Sequence, residues 1–580
     1  MQTDWIILYD DYQNGDLIDD ILEYNNKTHK GIQNKNDILY PEKINWVNAF
    51  ELPNIRKGIE RVKQAIENNE NILIAGDYDA DGVTATAIMF FGIRSLTPNV
   101  YWTVPNRSDG YGLSTNIVSE AMMKKCSLIV TVDNGIVAFE AIEYANQMGI
   151  DVIVTDHHQP QDKLPCDIVI APLVDNKYPF KNICGCMVAF KFLQALLGKD
   201  MVKMSWYKEA FALTAIATIA DVMILQNENR RFVNSFLNML KKKNSVGLGL
   251  DTLFKNIKGL DLENVTSTDI AFSVVPCINA MGRLDDAKKA VELFLTEDCT
   301  IADKIAKKMI DLNSERKKYQ NEIRQSLQIN ENTNVIVEVI DKVPSGIVGI
   351  VAGSISSKYN RPCYLMVKNE DLLFGSGRAP EYGKFNVGSF VANNKDICFG
   401  GGHKGACGVK LLDKNLEEFK SRCEKEYKLL YPQTDETVVK KIIFYDLKFS
   451  QINNDLMNDL CLLEPYGSGN RAPLFCSRGV YVSNTRICGD YKNTLQMEFF
   501  QNNKTLKGIC FYDVMDKYIN ELQQEQFIDI CYTLQYNYWQ GNKSIQLLIE
   551  DFKPSKIEKK EELLEQTKKE LEKEKNVTFF

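Results

Sequence analysis

The sequence predicts an α/β protein with two α/β domains, a helical connector between them and a small β-barrel near its carboxyl end. Three observations predict this fold class. Short apolar runs alternate with helical stretches from about residue 55, which is typical of a parallel sheet. Residues 200–330 then look mainly helical, with long runs of good helix formers, before a second α/β pattern. After residue 437 the runs become alternating and aromatic-rich, as in a barrel.

Length and composition indicate several ordinary globular domains. The 580 residues exceed what one hydrophobic core supports, and 44% are hydrophobic and 25% charged. No apolar run reaches the roughly 18 to 20 residues of a membrane span, and the first residues show no export pattern. The 15 cysteines form no Cys-x-x-Cys pair, which favours reduced thiols over disulfides or zinc. We expect a soluble cytoplasmic protein with no membrane partner.

The first α/β domain is predicted from a series of buried strands. Helical spacing over residues 55–66 leads into the apolar run Ile72–Ala75. Four more apolar runs follow, at Val100–Val104, Leu128–Val132, Val152–Val154 and Ile168–Ala171. Ligands bind at the carboxyl ends of parallel strands, so the polar residues after these runs are candidate site residues.

The later elements follow the same rules. We predict connector helices at Ala287–Leu295 and Ile301–Leu327, then a strand at Val335–Ile340 and a turn at Gly400–His403. The Lys/Glu-rich stretch Lys556–Lys575 is typical of a solvated helix rather than of a binding device. The predicted barrel strands are Val480–Val482, Leu495–Phe500, Ile528–Tyr536 and Ser544–Ile549.

Three aspartates at alternate positions follow the first strand of the predicted sheet. Asp77, Asp79 and Asp81 lie between Gly76 and Gly82, directly before a helix expected to begin near residue 83. One of them could simply cap that helix, but a cap accounts poorly for three carboxylates. We therefore expect carboxylates that converge beyond the end of the strand.

Two further strand ends and one helix offer matching side chains. One strand is followed by Asp133, and another by Asp156, His157 and His158. The chain has only four histidines, so an adjacent pair beside aspartates indicates a site rather than chance. Asp221 follows an apolar, helix-like stretch, where an isolated carboxylate would be costly to bury without a cation or donor.

These side chains predict a metal site. Carboxylate oxygens mixed with imidazole suit Mn²⁺ or Mg²⁺, and the absence of thiolate pairs argues against zinc and iron–sulfur centres. Five or more candidate ligands suggest two ions, which together can clamp a phosphate and activate water. Phosphoester hydrolysis is the reaction that such a site serves best. The net charge of −8 neither supports nor excludes a nucleic-acid substrate.

The ordered motifs resemble those of the DHH phosphoesterase superfamily, and within it the single-strand-specific exonucleases of the RecJ family. The superfamily resemblance lies in residues 79–82, 133–135 and 156–158 and in Asp221. The RecJ resemblance lies in residues 76–82, 279–284, 376–378, 400–403 and 463–470. It implies an N-terminal extension (1–50), a DHH catalytic domain (51–235), a helical connector (236–330), a DHH-associated substrate-binding domain (331–432), an OB-fold nucleic-acid-binding domain (437–553) and a charged helical tail (554–580).

The resemblance implies a 5′-to-3′ exonuclease that releases mononucleotides from single-stranded DNA in recombination and repair. It implies Mn²⁺ or Mg²⁺ as cofactor, a monomer, and single-strand-binding protein or a helicase as partners. His158 is then expected to contact the scissile phosphate or the leaving oxygen, and Asp156 to orient His157. The implied metal ligands or their supports are Asp77, Asp79, Asp81, Asp133, His157 and Asp221.

Substrate binding is expected from the second domain and the barrel. The guanidinium of Arg378 can fork onto a phosphate beside Ser376, and Gly400, Gly401, Gly402 and His403 allow close approach of backbone N–H groups. Weaker candidates for the strand path are Arg107, Tyr111, Asn279 and Arg283. Six barrel aromatics could stack bases but are more typical of barrel core: Phe499, Phe500, Tyr532, Tyr536, Tyr538 and Trp539.

Two departures from the family pattern and two competing functions stay open. Pro276-Cys277 stands where the family has Pro-Arg, and Val343-Pro344 where it has Trp-His, which predicts the loss of a phosphate contact.

One alternative function is that of a DHH phosphodiesterase for short oligoribonucleotides or cyclic dinucleotides, which would share every ligand. The other is a non-catalytic replication scaffold, which the complete ligand set disfavours.

Overall fold

A computed structural model describes residues 3–9, 12, 17–28, 34–107, 110–175, 177–330, 332–341, 343–380, 383–432, 439–489, 491–539, 541–557 and 564–571. Four substructures are present: two α/β sheets, a group of connecting helices and a closed barrel. The N-terminal elements are β1 (Thr3–Tyr9), α1 (Leu17–Thr28) and α2 (Lys35–Leu39).

The first domain contains a five-stranded sheet that is parallel throughout, in the order β3-β2-β4-β5-β6. Strands β2, β4 and β5 are buried on both faces, which explains their near-continuous apolar sequences. Its elements are α3 (Ile55–Glu67), β2 (Asn71–Ala75), α4 (Ala80–Arg94), β3 (Val100–Thr103), α5 (Thr115–Met123), β4 (Cys126–Val132), α6 (Phe139–Gln147), β5 (Asp151–Thr155), β6 (Val169–Ile170), α7 (Gly185–Leu197), α8 (Tyr207–Ala220) and α9 (Asn227–Lys241).

The connecting helices share the core of the first domain. Leu253, Ile278 and Leu293 belong to the same buried cluster as Ile74 of β2 and Ile88 of α4. The connector therefore packs on the first domain rather than standing apart from it. Its helices are α10 (Leu248–Asn256), α11 (Ser267–Asp269), α12 (Val275–Leu284), α13 (Lys288–Leu295) and α14 (Cys299–Ser326).

The second domain contains a mixed five-stranded sheet in the order β10-β11-β9-β8-β7. Only β7 and β8 pair in parallel. The segment Gly400–His403, expected to be a turn, lies instead in β10, because each of its residues pairs with one of β11. The elements are β7 (Ile336–Ile340), α15 (Ser345–Tyr359), β8 (Cys363–Asn369), β9 (Leu372–Arg378), α16 (Val387–Asn393), β10 (Cys398–His403), β11 (Ala406–Leu412) and α17 (Leu416–Leu430).

Five strands of the C-terminal domain close into a barrel, since β13 pairs with both β14 and β16. Strand β12 extends this sheet, and β1 from the start of the chain pairs in parallel with β12. The predicted N-terminal extension thus contributes a strand to the C-terminal domain. The elements are β12 (Val439–Asp446), α18 (Asn454–Leu463), β13 (Phe475–Cys488), β14 (Thr494–Gln501), β15 (Lys504–Phe511), α19 (Tyr512–Lys517), β16 (Phe527–Trp539) and β17 (Asn542–Pro554).

The charged tail is described only in part. Residues 564–571 are helical, and residues 558–563 and 572–580 lie outside the described residues. Among the helices that the structure describes, none has the length and apolar character needed to cross a membrane.

Candidate metal centre and substrate face

The carboxyl ends of β4 and β5 and the adjoining helix ends bring four predicted ligands together. His157 Nε2 lies 3.2 Å from Asp133 Oδ1, 3.6 Å from Asp221 Oδ2 and 3.8 Å from Asp81 Oδ2. Asp81 is in the first turn of α4, and Asp221 directly follows α8. Both helices are buried on nearly every face, so their polar ends meet inside the protein. We call Asp81, Asp133, His157 and Asp221 the metal cluster.

Backbone groups hold the metal cluster in place. Both carboxylate oxygens of Asp81 accept hydrogen bonds from the first residues of α7, Gly185 N at 2.7 Å and Cys186 N at 2.8 Å. Any side chain at Gly185 would collide with the carboxylate of Asp133. Asp133 itself has φ +61°, a left-handed conformation that Asp and Asn tolerate better than most residues. A glycine directly before an apolar helix was the only signal in the sequence for this support.

Asp77 and Asp79 border the metal cluster. Asp77 is fully buried and accepts a 3.3 Å hydrogen bond from Gly112 N, and Asp79 caps α4 by accepting from Gly82 N at 3.0 Å. Neither belongs to the groups whose ligand atoms lie within 4.8 Å of one another, which contain the metal cluster and His158. Their part in metal binding therefore stays a prediction.

The charges of this region are uncompensated. Burial and repulsion by Asp79 raise the pKa of Asp77 to about 8, and burial with repulsion by Asp81 raises that of Asp221 to about 8. The pKa of Asp133 is raised well above its usual value for the same reasons. In the described part of the chain, Asp77 Oδ2 is buried without a hydrogen-bond partner, and Asp133 Oδ1, although 3.2 Å from His157 Nε2, makes no hydrogen bond of good geometry.

A divalent cation fits these donors. It would supply the positive charge that the buried carboxylates lack and occupy their unpaired oxygens. Burial also lowers the pKa of His157, so a neutral ring offers its nitrogen lone pair. Several oxygens with one imidazole are the ligands that Mn²⁺ and Mg²⁺ accept, and the described residues of this site include no paired thiolates.

Asp156 orients a different histidine from the one expected. We expected it to orient His157, but its Oδ1 lies 2.7 Å from Nδ1 of His158. Its carboxylate also accepts hydrogen bonds from the backbone N–H groups of His157, His158 and Ile136. The expectation failed because the strand end turns the first ring toward the metal cluster and the second toward Asp156.

The surroundings of His158 favour the charged form of its ring. Burial opposes its charge, but the hydrogen bond to Asp156 and nearby carboxylates dominate and raise its pKa to about 9. The other ring nitrogen, Nε2, lies 3.2 Å from the hydroxyl of Tyr111. Tyr111, a weak candidate from the sequence, thus contacts the predicted catalytic residue directly.

A second surface, which we call the arginine face, begins beside the aspartate turn. The guanidinium of Arg107 lies 4.2 Å from the ring centroid of Tyr78, and its Nε donates to the carbonyl of Gly282 at 3.2 Å. Asn279 Oδ1 accepts a 2.9 Å hydrogen bond from Ala80 N, one residue before Asp81. Helix α12 is therefore bonded to the turn that contributes Asp81.

The arginine face continues into the second domain. Arg283 donates a 3.0 Å hydrogen bond to the carbonyl of Gly346 at the start of α15. Any side chain at Gly349 would approach the guanidinium of Arg378, which itself donates to Ser376 Oγ at 2.6 Å. The arginine face thus contains the predicted residues Arg107, Asn279, Arg283, Ser376 and Arg378.

The glycine strand of β10 is only partly open. Side chains at Gly400 and Gly402 would collide with backbone carbonyls of β11, whereas the space around Gly401 is free. His403 is exposed and its Nδ1 accepts from Gly405 N at 3.2 Å. None of the described contacts joins these residues to the metal cluster, so their role in binding DNA stays a prediction.

The barrel aromatics divide into two groups. Phe499, Phe500 and Tyr532 are at most 2% exposed, so they form core, as alternating aromatics usually do. Tyr536 and Tyr538 reach the surface beside Lys543, whose Nζ lies 3.5 Å from the ring centroid of Tyr536. The side chain of Trp539 lies outside the described residues.

The motif at residues 463–470 contacts the first domain, which the sequence did not indicate. Residues 463–470 dock on the segment that follows Asp221, where Leu225 N donates to Ser468 O at 2.7 Å. The buried Arg230 donates to the carbonyls of Leu463, Glu464 and Pro465. We call residues 463–470 the docking segment. Nothing in the sequence marks Arg230, because these three partners are main-chain atoms more than 230 positions away.

Family models match both α/β domains and the barrel domain. The N-terminal domain of the DHH family matches residues 71–225, the DHHA1 domain matches residues 332–428, and the RecJ OB domain matches residues 445–551. The first domain, with its acidic sheet edge, and the DHHA1 domain that follows it place the protein in the class of DHH phosphoesterases.

Relatives narrow that class. The single-stranded-DNA-specific exonuclease RecJ of Bacillus subtilis is 30% identical over 530 residues, covering 88% of this chain and 65% of that protein. RecJ of Dickeya dadantii is 30% identical over 542 residues, covering 87% of this chain and 91% of that protein. The chain belongs to the RecJ family.

Solved structures agree with this fold. The Thermus thermophilus RecJ structure with Mn²⁺ superposes with a TM-score of 0.77 at 24% identity, covering 96% of this chain and 80% of that one. A structure of exonuclease RecJ bound to manganese gives a TM-score of 0.57 at 30% identity, covering 65% of this chain and 94% of that one.

Proposed function

We propose that the protein is a metal-dependent exonuclease that degrades single-stranded DNA from its 5′ end and releases nucleoside 5′-monophosphates, in recombination and repair. The observation that carries this proposal is the metal cluster, in which the buried carboxylates of Asp81 and Asp133 meet the ring of His157 beside a face of arginines. The names of the relatives supply single-stranded DNA as substrate. The direction of digestion is taken from the family resemblance.

Asp81, Asp133, His157 and Asp221 would hold the cations, with Asp77 and Asp79 adding negative charge around them. Two divalent cations in such a site activate water and stabilise the charge that develops on the phosphate. The protein contributes an arrangement fixed before substrate binds, because α7 and the strand ends position the ligands.

His158 is placed to donate a proton or a hydrogen bond. The hydrogen bond to Asp156 raises its pKa and fixes one of its ring nitrogens. The other nitrogen faces Tyr111 and is the group that would contact a phosphate oxygen or the leaving oxygen. Asp156 and Tyr111 are therefore positioning residues.

The arginine face would bind backbone phosphates of the strand. Arg107, Arg283 and Arg378 each donate to neutral groups, and none forms an ion pair with a described carboxylate. The barrel, with Tyr536, Tyr538 and Lys543 at its surface, would hold bases farther along the strand. We also propose that the protein is a monomer located in the cytoplasm. Its proposed partners are single-strand-binding protein or a helicase.

The test is a time course of hydrolysis on 5′- and 3′-labelled DNA and RNA strands of several lengths, with and without Mn²⁺ or Mg²⁺. We expect metal-dependent release of labelled mononucleotide from the 5′ end of DNA at once. Immediate release from the 3′ end would overturn the direction. Activity confined to very short RNA or to cyclic dinucleotides would overturn the substrate, and no hydrolysis of any substrate would favour a scaffold.

A further inference from the structure

Helix α12 has an uncharged cysteine at position 277, where the family pattern has an arginine. Helix α14 provides a positive charge beside that position. Cys277 is buried, and its Sγ accepts a 3.4 Å hydrogen bond from Asn313 Nδ2. The other amide atom, Asn313 Oδ1, accepts from Nε of Arg316 at 3.0 Å. Asn313 thus links the thiol to a guanidinium from the neighbouring helix.

Arg316 has no anionic partner among the described residues. Its remaining hydrogen bond is to the neutral amide of Gln320, at 2.7 Å. Arg324, two turns farther along α14, is in contrast paired with Asp513 of the barrel domain. The charge of Arg324 is therefore neutralised within the protein, whereas that of Arg316 is half-buried and uncompensated.

Arg316 belongs to the same electrostatic group as the arginine face. Burial is the main reason that the pKa of Arg283 falls to about 10, and the charges of Arg107 and Arg316 add to it. Arg283 is thus repelled by both Arg107 and Arg316, and an anion placed beside it would relieve that repulsion. The Arg107–Gly282 and Asn279–Ala80 hydrogen bonds connect this place to the turn that contributes Asp81.

We infer that Arg316 binds a backbone phosphate of the single strand and replaces the charge that is missing at Cys277. The inference rests on the proposed function, because the anion is taken to be a phosphate of the substrate. The predicted loss of one phosphate contact is then compensated from α14.

Arg316 could instead only pack α14 against α12, and binding measured at several salt concentrations separates the two roles. A phosphate contact to single-stranded nucleic acid contributes about 0.7 to the slope of log affinity against log salt. A packing residue changes stability but leaves that slope unchanged. Binding of a labelled oligodeoxynucleotide in EDTA, without hydrolysis, measures the slope.

The variant Arg316→Gln should lower the slope by about 0.7 and weaken binding about 10-fold. It should raise KM in hydrolysis and leave kcat unchanged. Lys318→Gln is the matched control on the same helix, since Lys318 is exposed and its ion pair with Glu322, at 3.8 Å, is a weak surface contact. This control should leave affinity within about 2-fold of the unmodified protein.

Restoring the charge on α14 provides the decisive test. Arg316→Lys should keep the slope that Arg316→Gln loses, with a melting temperature close to that of the unmodified protein. An unchanged slope in Arg316→Gln, or a slope in Arg316→Lys as low as that of Arg316→Gln, would overturn the inference. If the unmodified protein binds the strand but hydrolyses nothing, the proposed function fails while the result for Arg316 still stands.

Discussion

The metal cluster has an excess of negative charge and the arginine face an excess of positive charge. The two regions are also assembled from different kinds of structural element. The metal cluster is buried, negative and assembled mainly from the strand ends of one sheet. The arginine face is positive and collects Arg107, Arg283 and Arg378 from a loop, a helix and a strand. A cation satisfies the first and a phosphate satisfies the second, so a metal-bound phosphodiester complements both. Catalytic loss should therefore follow from damage to the metal cluster, and weaker binding from damage to the arginine face.

The largest effect is expected from Asp133→Asn. Asparagine keeps the size of the side chain and tolerates φ +61°, but removes the charge facing His157. We expect kcat to fall at least about 10³-fold. In thermal denaturation, the rise in melting temperature that Mn²⁺ produces in the unmodified protein should also be lost. Asp151→Asn, an exposed carboxylate at the opposite end of the same sheet, is the control and should retain both properties. Full activity in Asp133→Asn would remove this residue from the metal cluster.

His158→Gln should separate chemistry from metal binding. We expect kcat to fall by about 10² to 10⁴, because the charged donor is lost, while Mn²⁺ affinity measured by calorimetry stays within a few fold. Asp156→Asn should cost less, about 10 to 100-fold, since it acts through the orientation of His158. If His158→Gln abolished Mn²⁺ binding instead, His158 would be a metal ligand, as its position near Asp133 permits.

Arg378→Gln should change binding more than chemistry. Loss of the guanidinium group beside Ser376, which is expected to bind a phosphate, should raise KM about 10-fold and leave kcat within about 2-fold. Arg422→Gln is the matched control in the same domain, because Arg422 is held by Asp396 and Glu418 at the surface. A fall in kcat with unchanged KM would place Arg378 with the metal cluster rather than on the arginine face.

The smallest effect concerns a buried carboxylate outside both regions. Burial, reinforced by Asp251, raises the pKa of Glu209 to about 8, and its Oε1 has no described hydrogen-bond partner. The folded protein therefore binds this proton more tightly than the unfolded chain, and stability falls as pH rises from about 4.5 to about 8.

Glu209→Gln should remove that pH dependence. We expect its melting temperature to exceed that of the unmodified protein by about 2 to 4 °C at pH 9 and to match it near pH 5. Exposed Glu67→Gln serves as control and should show no such difference between the two pH values. Mn²⁺ should not reproduce the gain, because Glu209 lies outside the metal cluster. An equal shift at both pH values would show that ionisation of Glu209 is not responsible.

Much of the first domain and of the metal cluster could be predicted because parallel strands impose a simple rule. Buried strands have continuous apolar sequences, and their carboxyl ends share one edge, so Asp81, Asp133 and His157 were expected to meet. Partner choice within that edge was not predictable: Asp156 bonds the ring of His158 rather than that of His157. The glycines at 400–402 were taken for a turn because glycine favours turns, yet pairing with β11 makes them a strand.

The sequence by itself determined the strand ends, the ligand types and the family, since these depend on local pattern and on short motifs. Only the tertiary structure decided which distant segments meet: β1 with β12, Arg230 with the docking segment, and Arg316 with Cys277. These contacts involve main-chain atoms, or side chains on different helices, and no local periodicity encodes them. The acidic edge of the sheet could thus be located from one strand at a time, whereas the arginine face required the packed helices.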